Sequence, residues 1–140
     1  MVFHHKIYSY DVSGTLTSIV YADGSAVFYT HTPDGRLATR TWARGVATAY
    51  AYNAEGLPAA TTYSDAMPGT ALTYDALLRP ATASNAVAAY TYKNSALGTA
   101  TNETVTLGGT VATLTRGMDH RHRLAELRSG GAAPVYYGYD

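Results

Sequence analysis

Apolar and polar residues alternate along this chain in short runs, with a period of two rather than three to four. Tyr50 and Tyr52 fall on one face of an extended run, and Ala49 and Ala51 fall on the other. Leu37 to Trp42 and Val46 to Tyr52 are two such β-rich runs, separated by Ala43-Arg44-Gly45. Equivalent breaks fall at Asp23-Gly24, at Asn85 between Ser84 and Ala86, at Gly108-Gly109 and at Gly130-Gly131. Asp-Gly and Gly-Gly supply the positive φ that tight hairpins need. The pattern predicts a succession of antiparallel hairpins.

The runs repeat. A motif close to Tyr-x-Tyr-Asp-x-x-Gly-x-Leu begins at Tyr8-Ser9-Tyr10-Asp11, with Gly14 and Leu16. It returns as Tyr29-Thr30-His31 with Asp34, Gly35 and Leu37, as Tyr50-Ala51-Tyr52-Asn53 with Gly56, and as Leu72-Thr73-Tyr74-Asp75. Weaker copies occur at Tyr90-Thr91-Tyr92 and at Met118-Asp119 with Leu124, and a last one opens at Tyr137-Gly138-Tyr139-Asp140. Anchors at positions 10, 31, 52, 74, 92, 118 and 139 are spaced by 21, 21, 22, 18, 26 and 21 residues, which marks a repeat array. Each repeat reads as one hairpin, so six give about a dozen strands.

Each motif residue has an expected task. Asp11, Asn53 and Asp75 accept hydrogen bonds from the backbone just after them, and Gly14, Gly35 and Gly56 take a left-handed conformation. Stacking in register predicts lateral ladders of Tyr8, Tyr29 and Tyr50, of Tyr10, His31 and Tyr52, and of Tyr21, Trp42 and Tyr63. Pro58 and Pro80 cannot donate to a sheet ladder and are expected at strand starts. The 26-residue interval predicts a longer hairpin or a bulge around Ala96 to Thr110, and the glycine-containing tips are expected to absorb changes in repeat length.

Composition narrows the function classes. With 14% charged residues and a net charge of zero, the chain lacks the electrostatic basis for nucleic-acid or anionic-membrane binding. Thirteen Tyr against two Phe and one Trp suit a pleated, half-buried surface. The absence of cysteine removes disulfides and thiolate metal sites. Met1 to Lys6 carries no apolar leader core, and no stretch approaches the length of a membrane span, so an export signal, if used, lies outside this chain.

Candidate chemistry is sparse. Asp119-His120-Arg121-His122 offers two imidazoles, but the flanking arginines disfavour a cation, and the segment reads as a solvated turn. His31 reads as a stacking residue, and Asp11, Asp34, Asp75 and Asp119 as turn residues. Asn102-Glu103-Thr104 matches a glycosylation acceptor that matters only in a eukaryotic secretory route. Arg116, Arg121, Arg123 and Arg128 form a locally basic run that reads as a solvated edge. No nucleophile, base and orienting group share a recognisable spacing, so an enzyme is not expected, nor is a cofactor or a metal.

The motifs Tyr8-Ser9-Tyr10-Asp11, Pro33-Asp34-Gly35-Arg36-Leu37, Tyr50-Ala51-Tyr52-Asn53-Ala54-Glu55-Gly56, Thr73-Tyr74-Asp75 with Arg79, and Tyr137-Gly138-Tyr139-Asp140 resemble those of the Rhs/YD-repeat family. The resemblance runs from Tyr8 to Asp140. It implies a β-ribbon that spirals into a hollow shell, commonly enclosing a toxic C-terminal domain, as in polymorphic toxins and the C components of Tc complexes. No segment here resembles the self-cleaving core or the variable toxin domain that follow the repeats in that family. Residues 1–140 are therefore expected to be a YD-repeat array from a longer polypeptide.

The reading that follows is a noncatalytic, secreted or surface-located scaffold. Its expected partners are flanking repeats of the same or neighbouring chains and an encapsulated toxin domain. Two alternatives stay open. Arrays stacked end to end would form an extracellular fibre, since Tyr139-Asp140 repeats the phase of Tyr10-Asp11. Exposed tyrosines would bind a surface glycan in a carbohydrate-binding module.

Overall fold

A computed structural model describes residues 5–140, and its regular secondary structure is β-strand throughout. The lack of a leader core concerns a segment that lies mostly outside the described residues. The chain divides into two compact units, one ending at Gly69 and the other beginning at Thr70.

In the first unit β1 (Lys6–Tyr10), β2 (Leu16–Tyr21), β3 (Ala26–His31), β4 (Leu37–Thr41), β5 (Ala47–Tyr52) and β6 (Pro58–Tyr63) form an antiparallel meander, each strand pairing with the next. The second unit repeats the plan with β7 (Thr70–Tyr74), β8 (Pro80–Ser84), β9 (Ala88–Asn94), β10 (Ala100–Leu107), β11 (Thr110–Met118), β12 (Leu124–Ser129) and β13 (Val135–Tyr136). The hairpin-repeat expectation thus holds, with thirteen strands among the described residues. Pro58 and Pro80 each open a strand, as a residue without an amide hydrogen should.

The motif builds one kind of turn six times. At the first, the Gly14 amide donates to the Asp11 carbonyl at 3.0 Å, and the Asp11 amide donates to the Thr15 carbonyl at 2.9 Å. This is a type I turn closed by a left-handed residue. Equivalent bond pairs start at Thr32, Asn53, Asp75, Ser95 and Asp119. Glycine fills the left-handed position at residues 14, 35, 56 and 98, whereas Leu78 and His122 adopt it at φ 60° despite their side chains.

Two assignments change. The fifth copy is anchored by Asn94-Ser95, two residues after the expected anchor Tyr92, so its left-handed residue is Gly98. The turn residues are then spaced by 21, 21, 22, 20, 24 and 21 from position 11 to position 140. In the second copy Thr32 holds the capping position instead of Asp34: the Arg36 amide donates to the Thr32 hydroxyl at 3.0 Å. Asp34 sits inside the same turn and pairs with Arg36 at 2.8 Å.

Repeat length is absorbed in two places. The longest repeat lengthens its strands, β10 and β11, to 8 and 9 residues around the two-residue Gly108-Gly109 turn. Before Thr70 it is the segment between strands that is longer, residues 64–69 separating β6 from β7. Tips are therefore only part of the mechanism.

One irregularity is constant. Each strand that leaves a motif turn carries an extra residue immediately after its first, at Thr17, Ala38, Ala59, Ala81, Thr101 and Ala125. The strand pairing slips by one residue there, which is a β-bulge, and every bulged residue is Ala or Thr.

The aromatic ladders do not form as expected, because two strands make one repeat. Motif tyrosines lie on alternate strands, about 9.6 Å apart for a strand spacing near 4.8 Å. Tyr8 is opposite Ile19, Tyr29 opposite Arg40, and Tyr50 opposite Thr61. The other face of the sheet is rich in Thr and Ala. In the second unit Thr73, Thr82, Thr91, Thr104 and Thr113 are successive partners across β7 to β11. The hydroxyls of Thr73 and Thr82 are 2.7 Å apart, matching the 2.6 Å Thr30–Thr39 pair of the first unit. Among the described residues only Val27 and Thr48 are buried, so neither unit encloses a thick core.

Candidate functional site

The chemistry that distinguishes these sheets lies where one motif turn meets the next. Every motif turn closes the base of a hairpin, so within each unit successive turns sit side by side. At the second and third turns, the Tyr52 hydroxyl donates to the Leu37 carbonyl at 2.9 Å. The Arg36 guanidinium lies 5.4 Å from the centre of the Tyr52 ring while holding Asp34. A methyl group placed on Gly56 would meet that guanidinium.

The same clasp recurs at the end of the chain. The Tyr139 hydroxyl donates to the Leu124 carbonyl at 2.7 Å, and Arg123 lies 4.1 Å from the Tyr139 ring centre. Arg123 also bonds the Asp119 carboxylate at 2.8 Å. Between the fourth and fifth turns Arg79 holds Asp75 through Nε and Nη2 and donates from Nη1 to the Ser95 carbonyl at 2.7 Å. There Asn94, standing where tyrosine stands elsewhere, reaches the Pro80 carbonyl at 3.4 Å. An arginine at the fourth position after the turn residue therefore ties its turn to the next one. Cation–π contact and charge-assisted hydrogen bonding both contribute.

Motif carboxylates serve the turn backbone. The Asp119 carboxylate accepts from the amides of Arg121 at 2.8 Å and Arg123 at 2.9 Å. Chiefly the Arg123 amide, with the Arg123 side chain and the Arg121 amide, holds this group down to about 2 from its ordinary 3.8. The Asp75 carboxylate is lowered in the same way, first by the Arg79 amide. Asp11 accepts from Ser13 and Thr15, and Asn53 from Leu57.

The remaining motif residues are dispersed. Tyr8 and Tyr10 are exposed on β1. Tyr74 closes β7, and Tyr90 and Tyr92 lie on β9, with Tyr92 opposite Glu103. The Tyr137 amide donates to the Ala125 carbonyl, extending the β12–β13 pairing toward Tyr139 and the exposed Asp140. Tyr52 and Tyr139 are thus linked to arginine and not joined in the expected ladders. The signal was present as Arg36, Arg79 and Arg123, 43 and 44 residues apart.

Two other sequence features change meaning. In the basic run Arg116 pairs with Glu103 at 2.8 Å, Arg123 with Asp119, and Arg128 with Glu126, so much of its charge is locally compensated. Asn102 of the glycosylation motif lies within β10, paired with both Lys93 and Thr115. His120 and His122 belong to the Asp119 turn, where the His122 amide donates to the Asp119 carbonyl at 3.0 Å.

Of the three junctions without arginine, the first is the one whose turn residue is a carboxylate, Asp11. Thr15 stands at the arginine position, and His31 stands in place of the tyrosine. Between the first two turns is a cavity of about 440 Å³, lined in part by Asp11, Ser13, Thr15, Thr17, Tyr29 and His31.

No family profile matches the sequence, and no curated protein matches it. Solved structures do match. Against "TcdB2-TccC3" the TM-score is 0.70 at 15% identity, over 89% of this chain and 8% of that one. The form "without hypervariable C-terminal region" gives 0.69 at 14%, over 89% and 7%. A Photorhabdus luminescens Tc holotoxin pore gives 0.51 at 13%, over 90% and 9%. This chain spans less than a tenth of the length of each. The likeness is one of fold: the Rhs/YD-type resemblance seen in the motifs extends to the β-hairpin architecture of Tc-toxin chains.

Proposed function

We propose that this chain is a noncatalytic stretch of wall in an Rhs-type β-shell, which acts outside the cell or at its surface to enclose or display a toxin or effector domain. The turn-to-turn clasp carries the reading. Arg36 with Tyr52, and Arg123 with Tyr139, each bind one hairpin to the next, in units that hold together without a conventional core. A thin wall needs that property more than an enzyme does. The motif carboxylates of Asp75 and Asp119 are committed to backbone amides and arginines, a structural employment that fits a noncatalytic role. The fold likeness to Tc-toxin chains supports the same reading.

Limited proteolysis of the full polypeptide encoded by the gene tests it. A shell predicts a segment outside the repeats that resists protease until the repeats are opened by denaturant. Digestion of every such segment at the rate of a free chain would remove the enclosure reading.

End-to-end assembly into a filament is the second reading, favoured by the exposure of Tyr10 at the anchor position of β1. Electron microscopy separates the two: hollow compact particles oppose the filament, and long uniform fibres support it.

A further inference from the structure

We propose that the cavity between the first two motif turns is a receptor for a guanidinium group, presented as an arginine side chain by a peptide or protein partner. The proposal rests on the geometry of the junctions and not on the shell reading.

At three of the other junctions the chain supplies this group itself, from Arg36, Arg79 and Arg123. Arg79 and Arg123 pair with the carboxylate four residues earlier, and Arg36 and Arg123 lie over the anchor ring of the following repeat. At the first junction the anion is kept and the cation is lost: Asp11 remains, but Thr15 stands where Arg79 and Arg123 stand. None of the ion pairs among the described residues involves Asp11. The other two turns without arginine have Asn53 and Ser95 at this position, so they leave no charge to satisfy.

The space matches the missing group in chemistry. His31 has a smaller ring than tyrosine and Thr15 is shorter than arginine, and the cavity opens between them. Its walls carry one carboxylate, the rings of Tyr29 and His31, and the hydroxyls of Ser13, Thr15 and Thr17. A planar guanidinium stacks on a ring and directs five N–H donors outward in its plane, which suits ring walls flanked by oxygen acceptors. An ammonium is a compact point charge that uses the rings less well.

The test is a titration of the ¹⁵N-labelled 140-residue chain with N-acetyl-arginine amide, followed by NMR. Saturable shifts at the Thr15, Thr17 and His31 amides are expected, with the neutral isostere N-acetyl-citrulline amide binding about tenfold more weakly. Thr15→Arg should fill the cavity from within, abolish the shifts and raise the thermal midpoint, which also reports that the variant is folded. Equal responses to arginine and citrulline, shifts that persist in Thr15→Arg, or no shifts at all would overturn the proposal. Tighter binding of free arginine than of its acetylated amide would replace a peptide partner with the amino acid itself, and would overturn the partner assignment.

Discussion

The Tyr52 hydroxyl reaches back fifteen residues to donate to the Leu37 carbonyl, and Tyr139 repeats the bond to Leu124 at the same separation. Tyrosine recurs here because its length and terminal hydroxyl let it join two turns. Tyr52→Phe keeps the ring beneath Arg36 and removes only the bond. It should lower stability by about 0.5–1.5 kcal/mol, measured by urea unfolding.

Gly56 and Gly24 have nearly the same φ, 81° and 82°, but only Gly56 faces a guanidinium. Alanine at Gly24 should cost about 1–2 kcal/mol for the left-handed backbone alone. Gly56→Ala should cost more, and the excess should vanish when Arg36 is also replaced by Ala. A double-mutant cycle reads that coupling; equal costs in both backgrounds would show that Arg36 does not press on the turn.

Leu78 and His122 pay the penalty that the glycines avoid, each at φ 60°. Leu78→Gly should therefore raise stability by about 1 kcal/mol, seen as a higher urea midpoint at unchanged slope. A loss instead would mean that the Leu78 side chain contributes contacts worth more than its strain.

The Asp119 carboxylate, held down to about 2 chiefly by the Arg123 amide, binds its proton less readily folded than unfolded. Its contribution is fully present above the unfolded value near 3.8 and declines as pH falls toward 2. In Asp119→Asn the amide oxygen still caps the turn, as Asn53 does. The stability gap between wild type and Asp119→Asn should thus be level above about pH 5 and close between pH 4 and 2. A gap unchanged across that range would exclude the ionic contribution.

Trp42 donates from Nε1 to the hydroxyl of buried Thr48 at 3.0 Å, and its ring lies 3.4 Å from the Arg40 guanidinium carbon. Thr48→Val leaves that donor without its partner. A loss of about 1 kcal/mol is expected, with a shift in the emission of this single tryptophan.

The sequence disclosed most of the backbone and little of the side-chain wiring. Asp11, Asn53 and Gly14 announce their turns because capping and left-handed φ are local properties. Tyr90-Thr91-Tyr92 misleads because the motif's letters are present one dipeptide early, and only the Ser95–Gly98 turn shows that Asn94 is the anchor. Thr32 hides behind Asp34, since either oxygen could cap and only geometry shows which does. The arginine spacing is visible in the sequence but its partner is not, because Arg36 in its turn and Tyr52 at the end of β5 meet sixteen positions apart.

The arginines at positions 36, 79 and 123 fall on every second turn, with Thr15, Leu57 and Thr99 at the turns between. The arginine pattern therefore has a period of two hairpins. Recombination that gained or lost a single hairpin would set two arginine turns, or two turns without arginine, beside one another. Arrays related to this one should vary in length by steps of about 43 residues more often than by half that step.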